Sequence, residues 1–316
     1  MPKHTQHLND DYSADARPVR MKWRADEHEA APSSKGRLTL EGKAKLGRAR
    51  DEADRPPPEG DRWSSWVDAD QGPDPLPDWV ITSAEACDHD LGVLKTGKEA
   101  DVFLVRRAVP GTDDEVVLAA KRYRSNEHRT FHRDAGYLEG RRLRRTRDMR
   151  AIENRTAFGR NLIAEQWAVA EFGALSTLWP VGVPVPYPVQ RYGTELLIEY
   201  LDEEDGSAAP RLAQVKPNPD ELADLWGQLV SALTGLAEHG LTHGDLSPYN
   251  ILVHRKRLML IDLPQIVDVV ANPNGGDFLA RDVKNITTWF LTRGLPSNIG
   301  DPDALLEMLR YEARIA

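Results

Sequence analysis

Only one cysteine, Cys87, occurs in 316 residues, so no disulfide can form within the chain and no Cys/His pairs stand at zinc-ligand spacing. A lone cysteine of this kind is expected to be a small buried hydrophobe rather than a nucleophile. Apolar runs are short. None approaches the roughly 18 residues of a membrane span, and the opening residues MPKHTQHLNDDYS hold no apolar stretch of a signal peptide, so a cytoplasmic, non-membrane protein is expected. Positive charge is in deficit, because 41 Lys and Arg face 50 Asp and Glu for a net charge of −9. That balance argues against wrapping nucleic acid with the whole surface and leaves room for a local basic patch. No internal repeat is visible. The length suffices for one large domain or two lobes with a sizeable core.

Aliphatic residues are scarce at the start. Residues 1–78 contain 29 charged side chains but only seven Leu, Val, Ile or Phe. Such a stretch buries too little apolar surface to offset its ordering entropy, and it is read as a disordered charged tail. Its charge is blocked, with ten Lys/Arg against four acids in 17–50 and nine acids against two Arg in 51–78. Trp23, Trp63 and Trp66 are exceptions suited to docking on a partner.

From Trp79 onward periodic apolar segments begin. Val102–Val105 and Val116–Ala120 read as a hairpin around PGTDDE, and an arginine-rich insertion, 122–160, follows. Leu162–Trp179 reads as an amphipathic helix stopped by Pro180, and a second hairpin turns at Gly193-Thr194. Asn218, Pro219 and Glu221 form the N-cap, first helical position and capping box of another helix. Ile251–Val253 and Leu258–Ile261 make a third hairpin, and helices from about Asp277 to Leu291 and from Pro302 onward complete the chain. A β-rich half before a helical half predicts an α+β fold of two lobes, 79–201 and 202–316, with a cleft between them.

The residues with the sharpest chemistry are His243-Gly244-Asp245-Leu246-Ser247-Pro248-Tyr249-Asn250, followed one hairpin later by Ile261-Asp262. Phosphoryl transfer needs a carboxylate to orient the acceptor hydroxyl and oxygen ligands for Mg²⁺ between phosphates, and Asp245, Asn250 and Asp262 supply that set. Asn250 just before one strand and Asp262 at the end of its partner fall at the same end of a hairpin. Lys121 ends an apolar strand where a lone charge is unwelcome, and Glu171 on the following helix is a suitable partner. Lys95-Thr96-Gly97-Lys98-Glu99-Ala100 precedes the first expected strand, where a loop over the nucleotide belongs. With one glycine, it is a weak phosphate loop by itself.

In this order, LKTGKEADVFLV, AAKRYR, WAVAEF, GVPVPYPV, HGDLSPYNILV, LIDLPQIV and FLARDVKNITTWF resemble the RIO family of atypical serine/threonine protein kinases. The likeness is closer to its first-named branch, of bacterial type. The resemblance implies a bilobal protein-kinase-like fold with a small β-rich N-lobe, a helical C-lobe, and no activation segment or peptide-binding subdomains. It implies ATP and Mg²⁺ in the cleft. Lys121 would contact phosphate and Glu171 would brace it. Asp245 would be the catalytic Asp, and Asn250 and Asp262 would ligate metal. Thr96, Gly97, Lys98, Glu99, Ala100 and Val102 would cover the nucleotide, and Glu199 and Leu201 would meet adenine.

Two departures keep other readings open. Gly244 stands where the family more often has Ala, and Pro248 replaces a commonly acidic position, so HGDLSPYN also resembles small-molecule phosphotransferases of the aminoglycoside and choline kinase type. KTGKEADV, Gln265 and the arginine-rich insertion favour the RIO reading. An ATPase switch acting on a ribosomal or RNA-associated partner is a further alternative. As a protein kinase, the chain is expected to phosphorylate protein substrates and itself, at Ser125, Thr130, Thr146 or Thr156 in the arginine-rich segment.

Overall fold

Alternating apolar residues in ADVFLVRRA and EVVLAAKRY make two adjacent antiparallel strands, with Val105, Leu118 and Ala120 packed in one small core and Ala100 and Tyr123 in another. The computed structural model describes residues 56–124 and 157–315, with side chains in the first helix from Ile163 onward. The elements in chain order are β1 (Arg62–Trp63), β2 (Asp70–Gln71), β3 (Cys87–Thr96), β4 (Ala100–Ala108), β5 (Glu115–Tyr123), α1 (Ala157–Leu178), β6 (Pro188–Tyr192) and β7 (Glu195–Glu199). Then come α2 (Pro219–Glu238), β8 (Leu241–Thr242), β9 (Ile251–His254), β10 (Arg257–Leu260), β11 (Val267–Asp268), α3 (Gly275–Thr292) and α4 (Pro302–Glu312). Among the described residues no helix is long and apolar enough to cross a membrane.

The first lobe is one curled antiparallel sheet in the order β1-β3-β4-β5-β7-β6-β2. Leu118, Ala120 and Leu197 face one way and join Trp66, Val105, Tyr187 and Val189 in a small core. The alternate positions face the helical lobe, and Leu196 there enters the large core formed with α1, α2, α3 and α4. The second lobe is helical, with two short hairpin-like sheets, β9–β10 and β8–β11. Between Asp262 and α3 lie only residues 263–274, which contain β11 and no helix. The bilobal α+β kinase-like fold expected from the sequence is the observed one.

Local signals act as expected where they are strong. Asn218 accepts from the N–H groups of Asp220 and Glu221, and Glu221 accepts in return from the Asn218 N–H, a complete capping box ahead of Pro219. The β9–β10 turn places Arg255 and Lys256 at φ 48° and 67°. Cys87 is buried, and burial pushes its thiol pKa up, in keeping with a packing role.

The boundary at residue 78 is corrected. The compact unit begins at Pro56, and the segment from Arg62 to Gln71 contributes both edge strands of the sheet. β1 pairs with β3, and β2 pairs with β6. Between them a 3₁₀ turn buries Trp66. Arg62 bonds Glu195 at 2.6 Å, and Tyr187 donates to the Pro73 carbonyl at 3.0 Å. Gly72 runs so close to β6 that a Cβ there would stand 2.0 Å from the Pro188 carbonyl oxygen. Few aliphatics are needed to hold this strap, because one tryptophan, ion pairs and edge hydrogen bonds do the holding. A second correction concerns β3, which precedes the strand taken as first and carries Lys95 and Thr96 at its end.

Candidate active site

Lys121 sits in β5 on the sheet face that looks toward the helical lobe, opposite Val102 of β4 and Leu196 of β7. Its Nζ donates at 2.7 Å to Glu171 Oε1 on α1 and at 2.7 Å to Asp262 Oδ1 beyond β10. Glu171 is buried and fully engaged, since it also accepts from the Leu263 N–H at 3.3 Å and from the Tyr123 hydroxyl. Burial works against the Lys121 charge, but Asp262 and Glu171 outweigh it and raise its pKa above the ordinary lysine range. Lys121 in turn holds the Asp262 carboxyl below the usual carboxylate range, against the effect of burial. Asp262 has φ 67°, a left-handed conformation that turns the chain sharply out of β10.

The loop from His243 to Asn250 is held from three sides. Buried Asp282 on α3 accepts from the Gly244 N–H at 2.6 Å, the Leu246 N–H at 2.9 Å and the Thr242 hydroxyl at 2.8 Å. One carboxylate therefore fixes the N–H groups of both chain neighbours of Asp245. His243 Nδ1 accepts from the Asp245 N–H at 3.4 Å, so its Nε2 carries the hydrogen and donates to the Ile261 carbonyl at 3.0 Å. Asn250 Nδ2 donates to the Asp245 carbonyl at 2.8 Å, which turns its Oδ1 into the atom available to a cation. Because Ile251 pairs with Leu260 and Ile261 donates to the Asn250 carbonyl at 3.0 Å, Asn250 and Asp262 leave the β9–β10 ladder at one end. Gly244 has φ 84°, and a Cβ there would stand 2.2 Å from the Gln265 carbonyl oxygen, so this backbone path admits no side chain.

The turn between β3 and β4 carries Thr96, Gly97, Lys98, Glu99 and Ala100. The Gly97 N–H bonds the Ala100 carbonyl at 3.0 Å, and a Cβ on Gly97 would lie 2.6 Å from that oxygen. The Glu99 carbonyl accepts from the Arg124 N–H at 2.9 Å, tying the turn to the end of β5. Val102 lies half-buried directly opposite Lys121. At the far side of the sheet, Glu199 ends β7 with its carboxylate accepting from the Tyr187 N–H at 3.0 Å. Leu201 is buried, and its carbonyl accepts from the Ala209 N–H at 2.9 Å.

Two residues of this cleft were not singled out by sequence reasoning. Asp282 lies inside FLARDVKNI, and its signal was an acid among Leu279, Val283 and Ile286 on the buried face of a helix. Arg211 lies in the irregular segment after β7 and donates to the Tyr249 carbonyl inside the loop. Nothing in its local sequence announced this. Ser125, Thr130, Thr146 and Thr156 lie outside the described residues.

The donor chemistry suits a hard cation. Asn250 and Asp262 offer an amide and a carboxylate oxygen, the second held ionised by Lys121. Among the described residues no group of three or more His, Cys, Asp or Glu is placed to hold a metal. Mg²⁺ does not need one, since it is commonly bound through one or two protein oxygens plus substrate phosphates and water.

Fold and cleft together define a bilobal kinase-like protein. The family model for the RIO domain matches residues 103–301. A RIO-type serine/threonine-protein kinase Rio1 of Haloferax volcanii is 34% identical over 219 residues, spanning 69% of this chain and 68% of that protein. Serine/threonine-protein kinase RIO1 of Saccharomyces cerevisiae is 30% identical over 222 residues, 65% of this chain and 44% of its own. Serine/threonine-protein kinase RIO3 of Homo sapiens is 28% identical over 220 residues, 66% and 40%. The chain thus spans less than half the length of these two eukaryotic relatives. It belongs to the RIO family. Relatives named Rio1 and RIO3 both match, so the family, not one branch, is what the comparisons establish.

Proposed function

We propose that this protein transfers the terminal phosphoryl group of ATP, with Mg²⁺, to serine or threonine hydroxyls of protein, including its own. The observation that carries the reading is the convergence of Lys121 from the sheet with Glu171 and Asp262, at 2.7 Å each, beside the loop holding Asp245 and Asn250.

Each residue then has a chemical task. Lys121, braced by Glu171, contacts phosphate oxygens. Asp245 orients the acceptor hydroxyl and takes its proton as the new oxygen–phosphorus bond forms and the bond to the bridging oxygen breaks, releasing ADP. Asn250 Oδ1 and the Asp262 carboxylate would hold Mg²⁺, which when bound neutralises charge on the phosphates. The Thr96–Ala100 turn and Val102 cover the nucleotide, and Glu199 and Leu201 border the adenine. The names of the matched relatives support a protein acceptor.

Incubation with ATP labelled at the terminal phosphate, Mg²⁺ and candidate protein acceptors tests this, beside Asp245→Ala. Repeated labelling of protein hydroxyls, lost in the variant, is expected. Label found only on added small alcohols, or only as inorganic phosphate with about one turnover per binding event, would overturn the protein-kinase reading in favour of a small-molecule phosphotransferase or an ATPase switch.

A further inference from the structure

Glu171 is held through both of its carboxylate oxygens. Oε1 accepts from Lys121 Nζ at 2.7 Å and from the Leu263 N–H at 3.3 Å, whereas Oε2 accepts from the hydroxyl of Tyr123. Lys121 and Tyr123 stand two residues apart on β5, so the period of the strand puts both on one face and lets each reach a different oxygen of one acid.

That face meets α1. Ala164, Trp167, Ala168 and Glu171 follow one another at i, i+3, i+4 and i+7, a single stripe of the helix. The first three form a buried cluster with Tyr123 and with Ala100, the β4 residue paired to Tyr123 at the end of the turn expected over the nucleotide. Trp167 meets the Tyr123 ring edge to face, with centroids 6.3 Å apart, and Lys121 Nζ lies 5.2 Å from the same ring centroid. One side chain thus touches the helix, the lysine's strand and the residue that follows the turn.

The alanines bring helix and strand close but make no directional contact. A hydrogen bond from a hydroxyl to a carboxylate is directional. With Oε2 anchored by Tyr123, the carboxylate of Glu171 is not free to swing about its last side-chain bond, and Oε1 stays aimed at Lys121. Lys121 divides its ammonium between Glu171, whose side chain is 2% exposed, and Asp262, at 49%. The buried acid therefore sets the direction of the lysine.

We propose that Tyr123 is a positioning residue for phosphoryl transfer: its hydroxyl fixes the Glu171 carboxylate and, through it, the direction in which Lys121 meets phosphate. The inference rests on the nucleotide reading above. It adds to that reading a residue that acts through Glu171 and not on the nucleotide itself.

The test compares the full chain with Tyr123→Phe, Glu171→Ala and the double variant. Phe keeps the ring and its packing against Trp167 and removes one oxygen, so the variant should stay folded at the assay temperature, which a melting curve checks. Two quantities are read: Mg²⁺-dependent ATP turnover and, independently of activity, the rate at which the N-hydroxysuccinimide ester of acetic acid acetylates Lys121, followed by mass spectrometry. In Tyr123→Phe, turnover should fall on the order of tenfold, the worth of one hydrogen bond to a charged group, and Lys121 should acetylate several-fold faster. With Glu171 already replaced by Ala, Tyr123→Phe should change either quantity by less than about twofold, because the effect passes through that carboxylate. A lowered melting temperature with unchanged Lys121 acetylation, or an effect of Tyr123→Phe as large in the Glu171→Ala chain as in wild type, would overturn the proposal and leave Tyr123 as packing alone. A wild-type chain that turns over no ATP would overturn the nucleotide reading, and the acetylation rates would still decide whether Tyr123 aims Lys121.

Discussion

Lys121 and Asp262, 141 residues apart in the chain, meet at 2.7 Å across the cleft. The pair is a latch between the sheet and the helical lobe, and a metal at Asp262 must share or open it. Asp262 is 49% exposed on its side chain, so the latch contributes little to stability, about 0–1 kcal/mol after solvent screening. Asp262→Ala should therefore unfold close to wild type in urea while Mg²⁺-dependent ATP turnover falls roughly a hundredfold or more. Turnover within about twofold of wild type would show that Asp262 holds no metal.

Lys121→Ala and Glu171→Ala should weaken nucleotide binding in a non-additive way, since each single change breaks the same ion pair. A double variant whose loss equals the sum of the singles would separate the two residues. The Glu171 variant should also lose more stability than the Lys121 variant. Its removal strands the Leu263 N–H and the Tyr123 hydroxyl as well as the lysine.

Asp282→Ala leaves two backbone N–H groups and the Thr242 hydroxyl without their buried acceptor. At about 1–3 kcal/mol for each unsatisfied group, the expected loss in a denaturant titration is about 3 kcal/mol or more. Asp282→Asn, which keeps one acceptor oxygen, should lose less. Equal stability of Asp282→Ala and wild type would mean that the loop holds itself.

The strap from Pro56 to Asp78 should matter to folding despite its polar composition. Removing residues 1–78 should lower the melting temperature clearly more than removing 1–55. Trp66→Ala alone should cost about 3–5 kcal/mol, as for other buried aromatics. Indistinguishable melting of the two truncations would place the strap outside the cooperative unit.

Tyr187 gives an alkaline test. Burial, with Asp74 nearby, pushes its pKa up to about 12, and its hydroxyl donates to the Pro73 carbonyl. A raised folded-state pKa contributes stability that is complete below the unfolded value near 10 and fades as pH rises toward the folded one. Wild type should lose stability between about pH 10 and 12, and Tyr187→Phe should lose less over that window. Parallel stability curves would show that Tyr187 ionises freely.

What was legible in the sequence followed strong local rules. The Asn218 capping box, the hairpin of β4 and β5, and the loop from His243 to Asn250 each carry a residue pattern with one structural meaning. The strap did not, because two-residue strands such as Arg62–Trp63 and Asp70–Gln71 have no period to read. Alternation in β3 is broken by register shifts between Asp90 and Gly92 and between Val93 and Lys95, and Leu91, Val93 and Leu94 are exposed. Asp282 and Arg211 act on backbone groups far along the chain, and only the folded topology brings those groups to them.

One short stretch, Arg62 to Gln71, supplies the outermost strand at both margins of the sheet. The sheet thus resembles a hoop fastened by a clasp, and neither margin can fray without pulling on the other. Amide protons of β3 near Asp88 and of β6 near Gln190 should then exchange with solvent as a single opening event, although three strands lie between β3 and β6 in the sheet order. The same clasp caps β3 only at Cys87–Asp88 and β6 only at Gln190–Arg191, so it keeps a neighbouring chain from those ends of the rims and not from the rest of β3.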